Sequence, residues 1–125
     1  EDVSLAAAHF MLSQLAQLEG DTAQRMNEAR MAAELQPGSA AMHDAYATAL
    51  RAAGQLEEAA AEYERAIALE PHWAAPHYNV ALVLEQLDRK ADAARHYGEF
   101  VARAPRAYEQ QRQVAEERRR VLAGQ

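Results

Sequence analysis

The chain has 125 residues, half of them apolar and 26% charged, with a net charge of −6 and no cysteine. Disulfides and thiolate metal sites are therefore excluded. The acidic balance argues against nucleic acid or an anionic membrane as partner, because phosphate contacts need clustered Lys and Arg. No apolar run approaches the roughly 20 residues that a membrane-spanning helix needs. About a quarter of the residues are alanine, while glycine and proline together number nine, so helix is favoured almost throughout. The chain opens at Glu1 without an initiator methionine or leader-like segment, which reads as a piece of a longer polypeptide or a processed form.

The elements follow in chain order. Glu1-Asp2-Val3-Ser4 is a lead-in whose acids suit the positive end of a helix, with Ser4 as N-cap for Leu5–Leu18. Glu19-Gly20-Asp21 makes a turn, and Asp21 with Gln24 resembles a capping box for a second helix ending at Leu35. Pro37-Gly38-Ser39 closes that unit, with Ser39 capping the next helix. Two amphipathic runs, Ser39–Ala53 and Leu56–Leu69, are split by Gly54-Gln55 and punctuated by Pro71. A fifth helix starts at Trp73 or Ala74, with Pro76 tolerated in its first turn. A sixth spans Lys90–Arg103 and contains Gly98, which costs about 1 kcal/mol relative to alanine and suggests close backbone approach. The last, over 108–122, is strongly charged, with a thin apolar stripe of Tyr108, Ala115 and Leu122.

A single ruler of thirty-four residues organises all of this. Pro37, Pro71 and Pro105 are evenly spaced, and Gly20, Gly54 and Asp88 share one position. Counted from Ala6, Ala40 and Ala74, position eight is always small (Ser13, Ala47, Ala81). Position seven is Leu12, Tyr46, Val80, and position eleven is Ala16, Leu50, Leu84. Position twenty is Arg25, Ala59, Ala93; position twenty-four is Ala29, Tyr63, Tyr97; position twenty-seven is Ala32, Ala66, Phe100. Small residues at eight and twenty let paired helices approach, and larger ones fill the remaining space. A helix pair this short cannot bury its own apolar face, so neighbours must stack on it.

The pattern resembles the tetratricopeptide repeat, which has this period and these small positions. The resemblance covers residues 6–107 as three copies (6–39, 40–73, 74–107), with 108–122 as a capping helix. It implies an all-α, right-handed α-solenoid in one domain, 1–125. Copy two matches best. Copy one departs at Arg25 and Ala29, and copy three at Phe100 and Arg103.

Chemistry finds little support. His9, His43 and His77 invite a zinc reading, but they occupy position four of successive copies, too far apart to gather on one ion. They read as half-buried core histidines, and His72 and His96 have no convincing partners. There is no nucleophile elbow, phosphate loop or zinc-protease motif. Neither a metal, a cofactor nor catalysis is expected. Arg118-Arg119-Arg120, the one basic cluster, reads as a solvated helix end.

What remains is recognition. The resemblance implies that the first helix of each pair lines a concave groove. It places there Phe10, Gln14 and Gln17 from copy one, and Asp44, Thr48 and Arg51 from copy two. Copy three adds Tyr78, Leu82 and Glu85, with Asn79 at their border. Relatives that grip a C-terminal carboxylate use Lys and Asn where this chain has Phe10 and Gln14. Asn79 alone does not make the asparagine ladder of arrays attached to sugar transferases. The leading expectation is a protein–protein interaction scaffold holding a peptide or partner segment. Two others stand beside it. One is an accessory domain of a larger bacterial enzyme or secretion and assembly protein, with Met11, Met26 and Met31 packing against a neighbour. The other is weak self-association, the acidic first half of one molecule meeting the basic end of another. The arginine excess, twelve against one lysine, points to a GC-rich bacterial genome, with cytoplasm and periplasm both open.

Overall fold

The computed structural model describes residues 3–124, and every regular element among them is helical. Seven α-helices follow one another: α1 (Val3–Glu19), α2 (Thr22–Leu35), α3 (Ala40–Ala52), α4 (Leu56–Leu69), α5 (Ala75–Gln86), α6 (Lys90–Arg103) and α7 (Glu109–Ala123). A single 3₁₀ turn, Arg106–Tyr108, leads into α7. The predicted acidic lead-in, Glu1 and Asp2, lies outside the described residues. Ser4 is not a cap: α1 already includes Val3, so the serine sits inside the first turn.

The turns repeat as the spacing predicts, for a backbone reason. Gly20, Gly54 and Asp88 all take left-handed φ, at 75°, 81° and 60°. Each lets the following N–H turn back to a carbonyl five residues earlier: Asp21 to Ala16 (2.9 Å), Gln55 to Leu50 (2.9 Å) and Arg89 to Leu84 (2.8 Å). That wrap closes each first helix and launches the second. Asp21 caps α2 through a 3.0 Å bond accepted from the Gln24 N–H. Only half of the expected box forms, because the Gln24 amide donates to Glu28 instead (2.9 Å). Ser39 caps α3, accepting from the Met42 N–H at 3.3 Å.

Each helix packs chiefly on its predecessor and successor, and α3 also touches α5. This is the connectivity of stacked hairpins rather than of a closed bundle. The small and large positions sort as the repeat requires. Ser13, Ala47 and Ala81 are all buried, as are Ala29, Tyr63 and Tyr97, with both tyrosines 0% exposed. One continuous apolar core runs from Ala47 to Leu122, through α3 to α7.

The first pair is built differently. Its buried residues are small: Ala6, Ser13 and Ala16 from α1, and Ala29, Ala32 and Ala33 from α2. The leucines and Met11 of α1 face outward, with Leu12 45%, Met11 66% and Leu18 86% exposed. Leu12, a core residue by its repeat position, is therefore a correction. In later copies that position is covered by the preceding hairpin, and before α1 none is described. Met26, by contrast, packs against the core.

Beyond the third pair, α7 packs on α6. Ala115 and Leu122 are buried, whereas Tyr108 stays largely exposed. Gly98 faces α7: a methyl group there would meet the Arg119 Cδ at 3.3 Å. The close neighbour is thus the stem of a flexible side chain, not backbone.

Candidate functional site

The three histidines at position four are structural, and their bonding pattern repeats. His9 Nδ1 lies 2.5 Å from Glu28, His43 Nδ1 2.7 Å from Glu62, and His77 Nδ1 3.1 Å from His96 Nδ1. Each partner is nineteen residues further on, across the same hairpin. In His43 and His77 the other ring nitrogen holds the preceding loop. His43 Nε2 donates to the Pro37 carbonyl (2.8 Å), and His77 Nε2 to that of Pro71 (3.2 Å). A carbonyl can only accept, so Nε2 carries a proton in both rings. His43 and His77 therefore each tie their own hairpin to the turn before it.

The expectation that His72 and His96 lack partners is corrected. His96 is buried, meets His77, and places Nε2 3.0 Å from Glu64. His72 Nδ1 receives a 3.0 Å bond from Arg103. The recurring nineteen-residue offset, visible at His77 and His96, was the signal for the first of these. The arginine cluster is also more engaged than a solvated end: Arg118 pairs with Glu85, Arg119 with Glu116 and Arg120 with Glu117.

The predicted groove residues divide into two groups. Phe10, Gln14, Gln17, Asp44 and Thr48 come together around a cleft of about 310 Å³, joined by Ser13, Arg25, Ala41, Ala45 and Trp73. Asn79 reaches this group from α5, its amide donating to Asp44 Oδ1 at 3.5 Å. The rest are drawn into packing or into internal bonds. Tyr78 and Leu82 lie against the core. The Tyr78 ring meets Phe100 (4.9 Å between centroids) and the edge of Tyr97 (5.8 Å). Glu85 accepts from the Tyr97 hydroxyl at 2.7 Å and is clamped by Arg118. Arg51 is half-buried on α3 and faces the Tyr63 hydroxyl. Trp73 and Arg25 escaped the sequence reading, because their repeat positions belong to a loop and to a second helix. A lone tryptophan beside a loop proline was the available hint.

Electrostatics separates the two halves of this face. Burial raises the Asp44 carboxyl to about 6, and the Asn79 amide only partly offsets it. The Thr48 hydroxyl donates to the Asp44 carbonyl (3.0 Å), so the Tyr63 hydroxyl donates to Thr48 (2.7 Å). Burial pushes the Tyr63 phenol up. It does the same, more strongly, to Tyr97, with the Glu85 carboxylate adding to the effect. Tyr63 and Tyr97 thus thread from second helices to the groove face, where their hydroxyls fix Thr48 and Glu85.

Tandem hairpins, a shared core and a cleft between consecutive first helices define an α-solenoid repeat protein. The family model described as TPR repeat matches residues 47–88. That match covers about a third of the chain and marks this segment as similar to the tetratricopeptide repeat. The fold is similar to that of the Arabidopsis OM64 TPR domain (TM-score 0.85, 17% identity, covering 94% of this chain and 96% of that one). It is also similar to the Yersinia enterocolitica type III secretion translocator chaperone SycD (TM-score 0.90, 10% identity, 98% and 86%). A third similar structure is the first TPR of Spaghetti (RPAP3) bound to the HSP90 peptide SRMEEVD (TM-score 0.86, 14% identity, 98% and 99%). Comparison with curated proteins finds no matching relative.

Proposed function

We propose that this chain is a non-catalytic scaffold that holds a segment of a partner protein along the face formed by α1, α3 and α5. The observation that carries this reading is the α1–α3 cleft. It is open, is lined by Phe10, Gln14, Asp44 and Thr48, and lies between two helices that do not otherwise pack closely. Such a cleft, with apolar walls and a few convergent polar groups, suits an inserted side chain. Two structural neighbours lend support: the RPAP3 repeat holds an HSP90 peptide, and SycD has been captured with a peptide of the translocator YopD. The test is amide chemical-shift mapping of the full chain with a peptide selected from a random library. Shifts clustered on α1, α3 and α5 are expected; shifts confined to α2, α4 and α6 would overturn the reading.

A second reading rests on the outward face of α1. Leu5, Leu12, Leu15, Met11 and Leu18 form an exposed apolar stripe, and one similar SycD structure is described as an alternative dimer. Such a stripe suits a second copy of the chain packed α1 to α1. Charge-driven head-to-tail association is less favoured, because the arginines of α7 are already paired. Sedimentation velocity of the wild type and of Leu12→Glu/Leu15→Glu tests it. A concentration-dependent dimer that the double variant abolishes is expected, and a monomer at all concentrations removes this reading.

A further inference from the structure

Most acids facing the inside of this solenoid are matched by a cation or a histidine. Glu28 meets His9, Glu62 meets His43 and Arg65, and Glu85 meets Arg118. Asp44 is the exception. It is half-buried at the α1–α3 cleft, and its carboxylate has one contact, the Asn79 amide at 3.5 Å, the outer limit of a hydrogen bond. Among the described residues no Lys, Arg or His stands at ion-pair distance from it. Arg25 lines the same cleft yet does not reach it. A desolvated carboxylate without a partner is costly, and an incoming cation removes that cost.

The surroundings fit one kind of cation. Phe10 and Trp73 are half-buried in the same cleft, and they offer aromatic walls to an aliphatic stem or a guanidinium face. Gln14 and Gln17 are exposed amides beside them, able to bond an extended backbone. The chain as a whole carries −6, and both of its first two repeats are acidic, which speeds the approach of basic segments. Resting on the scaffold reading above, we propose that the α1–α3 cleft takes a Lys or Arg side chain of an extended peptide, its cation on Asp44 and its stem against Phe10 and Trp73. The same arrangement disfavours a peptide that presents a carboxylate at this point.

The experiment is selection of a random dodecamer phage library on the immobilised full chain, followed by fluorescence anisotropy with the winning synthetic peptide. Wild type, Asp44→Asn and Phe10→Ala are compared, each first checked for helicity by circular dichroism. The expected consensus contains one Lys or Arg. Asp44→Asn should weaken binding about tenfold, and replacing the peptide base by norleucine or citrulline should weaken it equally. In the double change the two losses should not add. A consensus without a base, or equal binding to Asp44→Asn, overturns this inference. If that binder is still weakened by Phe10→Ala, the groove itself survives. If no peptide is enriched, or binders ignore Phe10→Ala, the inference and the scaffold reading fall together.

Discussion

At the scale of single residues, two ionisable groups oppose each other in their pH dependence. Asp44 is raised from 3.8 to about 6 by burial, so the fold prefers its neutral form. Its contribution is present in full below 3.8 and is lost as pH rises through 6. Asp44→Asn should therefore raise stability at pH 7, by about 1–2 kcal/mol after allowance for partial exposure. The gain should vanish below pH 4, as urea titrations at the two pH values would register. His77 runs the other way. Burial lowers it from 6.5, and the nearby His96 opposes a second positive charge. Its contribution is complete above 6.5 and drains away as pH falls through the lower folded value. A variant His77→Gln should flatten the acid limb of the stability profile between pH 6.5 and the acid transition. The left-handed turn position offers a third test. Gly54→Ala should cost about 1–2 kcal/mol because φ is 81°. Asp88→Gly, relieving a φ of 60°, should gain about 0.5–1 kcal/mol. Melting temperatures that moved the opposite way would contradict the assigned turn.

At the scale of elements, the two ends of the array are unequal. Helix α7 donates Ala115 and Leu122 to the continuous core and locks Arg118 onto Glu85. Helix α1 contributes only small residues and turns its leucines outward. Leu122→Ala should cost about 2–3 kcal/mol, since it empties a packed site of which only 6% is exposed. Leu12→Ala should change stability by less than about 0.5 kcal/mol. Chemical denaturation of both variants decides the point, and equal losses would mean that α1 is packed as tightly as α7. Position seven shows how far a repeat rule carries: its chemistry is the same in every copy, but its burial depends on a preceding hairpin.

At the scale of the whole molecule, stability should be graded rather than uniform. Stacked hairpins gain most of their stability from nearest neighbours. The large buried side chains, Tyr63, Tyr97, Leu50, Val80 and Val83, all belong to the second and third pairs. Native-state hydrogen exchange should show amides of α1 and α2 opening at least about tenfold more often than those of α4 to α6. Uniform protection would mean that the first pair folds as one unit with the rest. The α1–α3 cleft lies between these pairs, with Phe10 and Gln14 on the first and Asp44 and Thr48 on the second. A bound segment spanning the cleft should therefore raise protection in α1 more than in α4.

The period, the number and order of the helices, the shared turn position and the small position eight were determined by sequence alone, while the start of the first helix was not. They depend on local backbone preference and on one spacing, and the repeated residues state both three times. Leu56–Leu69 and Lys90–Arg103 were legible to the residue for that reason. About half of the candidate groove was legible too, because position five or nine of a first helix faces the same way in each copy. Only the tertiary structure decided which of those side chains remain available. Tyr78 and Glu85 are taken up by Phe100, Tyr97 and Arg118, partners that no local pattern links to them. Asp44 keeps its unpaired charge for the corresponding reason. Whether a carboxylate finds a cation depends on where the neighbouring helices place their ends, and the thirty-four-residue ruler does not measure that.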